Sequence, residues 1–187
     1  MNFETSIVKS LNHWGANHVG LVKFVANDFV YLAILLGLLT FLYIEWKVAV
    51  KPLFSAFNIR KVIADGALWL ALPMVVAVVL SELLSKIFDR ARPFVAHPNE
   101  IKALFPHGAD GGFPSHHMVF TVALAVCVIE MHDRVGWIVI AMAVISGIAR
   151  VMAGIHYPSD IVVGILIGAV IPPLTAKVLN KFRFKRL

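Results

Sequence analysis

The stretch FVYLAILLGLLTFLYIEW, residues 29–46, decides the class of fold. Its only charged residue is Glu45, near the end of the run. A helix needs about 20 predominantly apolar residues to cross the roughly 30 Å hydrocarbon layer of a bilayer. The stretch therefore predicts a membrane-spanning helix, and the sequence on either side of it predicts what surrounds that helix.

Similar apolar runs follow along the chain, at about 62–84, 117–131, 135–152 and 159–179. The first of these contains Pro73, which a buried membrane helix tolerates because neighbouring groups bond the freed carbonyl. Upstream, residues 1–25 carry apolar side chains at roughly helical spacing, which favours an amphipathic helix in the membrane interface. We therefore expect an all-α, polytopic membrane helical bundle of about five transmembrane helices plus an N-terminal interfacial helix. Residues 1–187 are expected to form a single domain.

The composition agrees with a membrane protein. Hydrophobic residues make up 59% of the chain, charged residues make up 15%, and the mean hydropathy is +0.83. Soluble domains average about 45–50% apolar residues. The net charge of +6 does not indicate nucleic-acid binding, because the basic residues lie at the ends of apolar runs. We expect the membrane and a lipid phosphate as partners, and the sequence predicts no oligomeric state.

The distribution of basic residues predicts the orientation in the membrane. Short cytoplasmic loops are enriched in lysine and arginine. In a five-span arrangement one face collects Lys47, Lys51, Arg60, Lys61, Arg134, Lys177, Lys181, Arg183, Lys185 and Arg186. We therefore expect that face to be cytoplasmic, in a cell inner (plasma) membrane, and the opposite face to point to the periplasm or the exterior.

Polar residues are concentrated in three clusters at the ends of spans. These are KIFDRARP (86–93), PSHH (114–117) and ARVMAGIHYPSD (149–160), the first lying in a polar loop at 85–116. In the five-span arrangement all three fall on the outward face. Ionisable groups at membrane depth are unfavourable unless they pair or bind something. We therefore interpret the clusters as one functional site, with 85–116 as its active-site loop.

His156 and Asp160 are the candidate nucleophile and its orienting group. They are four residues apart, and Pro158 favours a helix start between them. A carboxylate that accepts a hydrogen bond from one ring nitrogen leaves the other nitrogen free to attack. His117, at the start of a span, is placed to protonate the leaving oxygen, because histidine titrates near neutral pH.

The other polar residues of the clusters suit a phosphate group. Phosphoryl transfer depends mainly on positive charge and hydrogen-bond donors around the phosphate oxygens. Arginine offers a bidentate fork, and a helix N-terminus offers backbone amides. The candidate phosphate ligands are Arg92, Arg150, Ser115, His116, Lys86 and Arg90.

Each cluster alone also has a simpler explanation. Arg92 before Pro93 is typical of a helix stop, and Ser115 is a common helix cap. His156 and Asp160 can form a purely structural pair. Three such clusters in this order, separated by long spans, favour the functional interpretation.

The sequence resembles the type 2 phosphatidic acid phosphatase superfamily over about residues 62–180. The resemblance is carried by Arg92-Pro93, by Pro-Ser-x-His ending at His117, and by Arg150-x5-His156-x3-Asp160. It implies a metal-independent mechanism without a cofactor, in which His156 forms a phosphohistidine that Asp160 supports. It also implies that His117 acts as the acid and that Arg92, Ser115 and Arg150 bind phosphate.

Three positions depart from the family pattern. Lys86 is separated from Arg92 by five residues instead of six, His116 stands in place of a glycine, and Ala149 stands in place of a serine. The segment GIHYPSD and the Phe-Pro-Ser-x-His form are most similar to the bacitracin-resistance type of undecaprenyl diphosphatase. That similarity implies conversion of undecaprenyl diphosphate to undecaprenyl phosphate on the outer face. Phosphatidylglycerol phosphate, phosphatidate and lipid A phosphatases share the same motifs.

Two other classes of function remain open. A metalloenzyme would use ligands among His107, His116, His117, His156 and Asp160, but the sequence lacks an HExxH motif and two arginines would repel the cation. A transporter or lipid-binding protein would hold the anion without chemistry.

Overall fold

The computed structural model describes residues 3–50, 59–131 and 133–184, and within them the regular structure is helical. The helices are α1 (Phe3–Gly15), α2 (Val19–Lys23), a π-helical turn (Phe24–Asp28), α3 (Phe29–Val50), α4 (Ile59–Phe88), α5 (Pro93–Ala96), α6 (His116–Glu130), α7 (Val135–Met152) and α8 (Pro158–Phe184). The predicted all-α fold is confirmed. Residues 51–58, which include Lys51 of the predicted cytoplasmic face, lie outside the described residues.

Four stretches of the described chain are long and apolar enough to cross a membrane: Val19–Lys47, Leu68–Ala96, Val135–Met152 and Pro158–Leu179. Many of their large apolar side chains are exposed, as lipid-facing side chains are. The protein is therefore a multi-pass membrane protein. The remaining predicted span, 117–131, forms α6, whose 15 residues extend over roughly 22 Å, less than the roughly 30 Å thickness of the hydrocarbon layer.

The short helix α6 lies in the centre of the bundle. It packs against α3, α4, α7 and α8, and the side chains of Met118, Val119, Val122 and Leu124 are at most 1% exposed. Neighbouring helices therefore cover it on several sides, which explains why its sequence is apolar throughout. Its N-terminus, which carries the PSHH motif, is consequently held by the surrounding helices.

Two glycines let α8 approach α6 closely. A Cβ atom on Gly164 would lie 2.8 Å from the carbonyl oxygen of Ser115, and one on Gly168 would lie 2.7 Å from that of Val119. The spacing Gly-x-x-x-Gly places both glycines on one face of α8, as in close helix pairs of membranes. The contact fixes the start of α8 against the start of α6, where the polar clusters lie.

Replacing Gly168 with alanine is therefore expected to lower the stability of the protein by roughly 1–3 kcal/mol, because the new methyl group displaces backbone of α6. The measurement is the melting temperature in detergent. Gly20→Ala is the matched control, since no atom lies within 4 Å of its Cβ position and alanine favours a helix over glycine. Equal melting temperatures for the two variants would contradict the prediction.

The N-terminal region differs from the prediction. Only Phe3–Gly15 forms the separate amphipathic helix, with buried residues recurring every three or four positions, whereas the prediction extended it to residue 25. The chain turns after Gly15, whose Cβ position lies 3.2 Å from Met152 O. The first span begins at Val19 instead of Phe29. The polar residues Asn27 and Asp28, just before the predicted start, lie in the π-helical turn, so the helix continues through them.

The start of the active-site loop also differs. Residues 85–88 continue α4, which ends only at Phe88. Asp89 then adopts a positive φ of 36°, and its amide donates to Ser85 O at 2.9 Å. This conformation ends a helix by bonding one of its last carbonyl groups. The loop proper therefore begins at Asp89.

Candidate active site

The structure brings the three polar clusters together at one end of the bundle. Arg92 directly precedes α5, His117 lies in the first turn of α6, Arg150 lies in the last turn of α7, and His156 lies between α7 and α8. These residues line a pocket of about 250 Å³, together with His107 and His116. The predicted convergence of the clusters is therefore present in the fold.

His156 is buried, with 3% of its surface exposed. Its Nδ1 lies 3.0 Å from the carbonyl oxygen of Gly112. Because a carbonyl oxygen only accepts, Nδ1 donates the proton and the lone pair stays on Nε2. Asp160 Oδ2 lies 3.5 Å from Nδ1, which is longer than a good hydrogen bond. Asp160 thus contributes a nearby charge, while the hydrogen bond that orients the ring goes to Gly112 and not, as predicted, to the carboxylate.

Asp160 is itself fully buried and held on three sides. Oδ2 accepts the amide of Tyr157 at 2.7 Å, and Oδ1 accepts Nη1 of Arg90 at 2.9 Å. Its backbone carbonyl accepts the amide of Ser115 at 3.0 Å, which joins α8 to α6. Since α8 begins at Pro158, the predicted helix start between the candidate nucleophile and its carboxylate is confirmed.

Arg92 connects the two loops that form the pocket by donating hydrogen bonds to the backbone of each. Its Nε donates to Asp110 O at 2.9 Å, and its Nη1 donates to Ile155 O at 3.0 Å. Nη1 also lies 3.4 Å from Nε2 of His156. The guanidinium charge therefore stands beside the nitrogen lone pair, a position that suits an anion approaching that nitrogen.

Arg150 is almost completely buried, with 1% exposed. Its Nη1 donates to Ala26 O at 2.9 Å, and Ser146 Oγ donates to the same oxygen at 3.3 Å. Ala26 lies in the π-helical turn, where the amide of Phe29 bonds back to Phe24 O. Within the described part of the chain, Nε of Arg150 has no hydrogen-bond partner. A buried donor without a partner is unfavourable, so a ligand oxygen in the pocket would satisfy it.

The N-terminus of α6 contributes three of the predicted site residues. Ser115 occupies the N-cap position of α6, as the helix-cap explanation predicted, but its side chain makes no cap hydrogen bond, and its buried Oγ has no partner among the residues described. His116 Nδ1 lies 3.7 Å from Glu82 Oε1. The His117 ring packs edge-on against Tyr31, with 6.1 Å between centroids. The positive end of the helix dipole adds to this anion-binding environment.

Two predicted phosphate ligands lie elsewhere. Lys86 is exposed on the last turn of α4, because its spacing from the arginine is one residue short and this turns it about 100° around the helix. Arg90 bonds Asp160 and Glu4, the latter at 2.7 Å. Neither side chain is among the described residues that line the pocket. The structure therefore does not support the prediction that they bind phosphate.

Two further residues belong to the site: His107, which the sequence analysis named only as a possible metal ligand, and Gly112, to which it gave no role. The His107 ring lies 6.5 Å from the His156 ring, centroid to centroid. A Cβ atom on Gly112 would lie 3.1 Å from Arg92 Cγ, so glycine permits the close approach of the loop to the arginine. The run HGADGG directly before the second motif was the available signal, since paired glycines mark tight backbone.

Burial and positive charge hold His156 and His107 in the neutral form. Burial lowers the pKa of His156 well below its usual value, and Arg150 and Arg92 lower it further. Burial also lowers the pKa of His107 to about 4, again aided by the two arginines. A neutral imidazole is the nucleophilic form, so His156 is ready to attack at neutral pH.

In the described residues, no group of three or more His, Cys, Asp or Glu side chains is arranged to hold a metal ion. The metalloenzyme alternative therefore has no ligand set in this part of the chain. Metal independence itself stays a prediction, and the EDTA assay described below tests it.

Two curated relatives of this chain carry the names of lipid phosphatases. The chain is 33% identical over 98 residues to undecaprenyl-diphosphatase BcrC of Bacillus subtilis (strain 168), covering 50% of each protein. It is 36% identical over 100 residues to a lipid A 1-phosphatase of Rhizobium johnstonii, covering 52% of this chain and 41% of the relative. The chain thus matches about half the length of these relatives or less.

A solved structure has the same fold. It is the crystal structure of a transmembrane PAP2 type phosphatidylglycerolphosphate phosphatase from Bacillus subtilis, with a TM-score of 0.58 and 20% identity. The match covers 95% of this chain and 85% of that one. In addition, residues 66–184 match the family model described as the PAP2 superfamily. The resemblance drawn from the three motifs is confirmed, and this chain belongs to the PAP2 superfamily.

Proposed function

We propose that this protein is a membrane-embedded lipid phosphatase that hydrolyses undecaprenyl diphosphate to undecaprenyl phosphate through a phosphohistidine at His156. The observation that carries the proposal is the pocket around Nε2 of His156. Its lone pair faces Arg92, and the buried Nε of Arg150, a residue that lines the pocket, lacks a partner in the described part of the structure. A phosphate group supplies an oxygen atom that this donor needs.

The reaction follows from the placement of these groups. Nε2 of His156 attacks the terminal phosphorus, the Nε2–P bond forms, and the bond to the bridging oxygen breaks. His117 donates a proton to the oxygen that leaves with the lipid phosphate. Water then attacks the phosphorus, His117 takes a proton from it, and the Nε2–P bond breaks to release inorganic phosphate. Arg92 and Arg150 stabilise the charge on the phosphate oxygens in both steps.

The names of the relatives support a lipid substrate, and the size of the pocket agrees with one. A pocket of about 250 Å³ admits a phosphorylated head group, whereas a long isoprenoid chain has to remain in the bilayer. We place the site on the periplasmic or exterior face of the inner (plasma) membrane, because of the basic residues predicted to be cytoplasmic. The reaction would there return a carrier lipid to cell-wall (peptidoglycan) biogenesis.

The test is phosphate release by the purified protein in detergent with EDTA present. Undecaprenyl diphosphate, phosphatidate, phosphatidylglycerol phosphate and lipid A are compared as substrates. We expect release to survive EDTA and to be fastest with undecaprenyl diphosphate. Faster release from another lipid would replace the proposed substrate but keep the reaction. Binding without release would instead favour the transporter or lipid-binding alternative.

A further inference from the structure

Arg90 lies between two carboxylates that come from opposite ends of the chain. Its Nη1 donates to Asp160 Oδ1 at 2.9 Å and to Ser159 Oγ at 2.6 Å, and its Nη2 donates to Glu4 Oε2 at 2.7 Å. The guanidinium also lies 4.0 Å from the centroid of the Tyr157 ring. These four contacts, three hydrogen bonds and the cation–π contact, leave Arg90 one orientation.

Glu4, on the N-terminal helix α1, accepts hydrogen bonds from both Arg90 and the backbone of α8. Its second oxygen, Oε1, accepts the amide of Ser159 at 2.9 Å, so the carboxylate spans from Arg90 to the first turn of α8. Burial raises the pKa of Glu4, but the hydrogen bonds from Arg90 and Ser159 outweigh it and leave the pKa below the usual value. Glu4 is therefore ionised at neutral pH.

The helix α1 does not depend on Glu4 for its position. Asn12 Nδ2 donates to Lys102 O and to Met152 O, both at 2.9 Å, and Val8 is fully buried in the core. A second ion pair, between Lys9 and Glu100 at 2.6 Å, also joins α1 to the active-site loop. A change at Glu4 therefore leaves the helix docked.

We propose that Glu4 and Arg90 are positioning residues that act on His156 through Asp160, a role that rests on the proposed function. Arg90 fixes the carboxylate 3.5 Å from Nδ1 of His156. Glu4 fixes Arg90 and balances its charge. With Glu4 ionised, the three groups carry one net negative charge, which stabilises the positive charge that develops on the attacking imidazole. Without Glu4, Arg90 alone neutralises Asp160 and that stabilisation is reduced.

Kinetics of Glu4→Gln test the proposal, with the lipid phosphate that the wild type cleaves fastest. The glutamine keeps the shape and an acceptor but removes the charge. We expect kcat to fall about tenfold, the order found when hydrogen-bonded supports of active groups are changed. KM is expected to stay within about twofold, because Glu4 does not line the phosphate pocket. A raised KM with unchanged kcat would assign Glu4 to substrate binding and overturn the proposal.

Two comparisons separate positioning from simple docking of α1. Glu100→Gln is the matched control, since it removes the other ion pair between α1 and the loop, and we expect it to leave kcat within about twofold. In an Asp160→Asn background, Glu4→Gln is expected to change kcat by no more than about twofold, because the charge through which it acts is gone.

Equal losses from Glu4→Gln in both backgrounds, or equal effects of Glu4→Gln and Glu100→Gln, would overturn the proposal. In either case the wild type would still release phosphate, so the proposed function would stand. A wild type that releases phosphate from none of the four lipids would sink the proposed function and this inference with it.

Discussion

His156→Ala is expected to lower kcat for phosphate release by about 10⁴-fold, the order of the loss when the central histidine of a catalytic group is disabled. The variant lacks the atom that forms the bond to phosphorus. The measurement is phosphate release under single-turnover conditions. Trapping of ³²P on the protein in acid-labile, base-stable form checks the same step.

The control for this variant is His18→Ala. His18 stacks on Trp14, with 4.3 Å between centroids, is exposed, and is not among the described residues that line the pocket. Its replacement is expected to leave release unchanged. Release by His156→Ala at more than about one tenth of the wild-type rate would contradict nucleophilic catalysis by this residue, since general acid–base help alone contributes about 10²–10⁴-fold.

Arg150→Lys is expected to lower kcat by about 10²–10³-fold, the loss typical of removing a preorganised donor to a developing charge. Lysine keeps the charge but has no equivalent of Nε, the buried donor that lacks a partner among the described residues. The single ammonium group of lysine also cannot donate both to Ala26 O and to a ligand in the pocket, as the planar guanidinium group of arginine can. Phosphate release and the melting temperature of the variant are measured together, so that a loss of folding is recognised.

Ser146→Ala is the comparison for Arg150→Lys. It removes the other donor to Ala26 O but leaves the pocket untouched, so we expect a small loss of stability and nearly full activity. If Arg150→Lys and Ser146→Ala lose the same activity at matched stability, the role of Arg150 is structural and not phosphate binding.

The spans were predictable because the length and the polarity of each can be read directly from the sequence. The run 135–152 matches α7 at both ends, since Arg134 and Arg150 mark its limits in the sequence. The convergence of His117, Arg150 and His156 was also predictable. Two loops lie on the same face of the membrane when an even number of spans separates them, and on opposite faces when the number is odd.

The remainder of the site depends on packing that no local pattern shows. The hydrogen bond from His156 goes to a backbone carbonyl, that of Gly112, and every residue type carries such a carbonyl. Arg90 was predicted to bind phosphate because it adds positive charge near the other motif residues, whereas its partners Glu4 and Asp160 are 86 and 70 residues away. The first span was predicted to begin at residue 29, although the helix continues through Asn27 and Asp28.

The π-helical turn at Phe24–Asp28 constrains the number of residues in this part of the chain. Such a turn accommodates one residue more than an α-helix. Deleting a single residue there would rotate everything before it by about 100° relative to α3, and Glu4 and Asn12 would leave their partners together. The number of residues between Glu4 and α3 is thus as strictly constrained as any side chain in the pocket, and we expect insertions or deletions in the turn to be far less tolerated than substitutions.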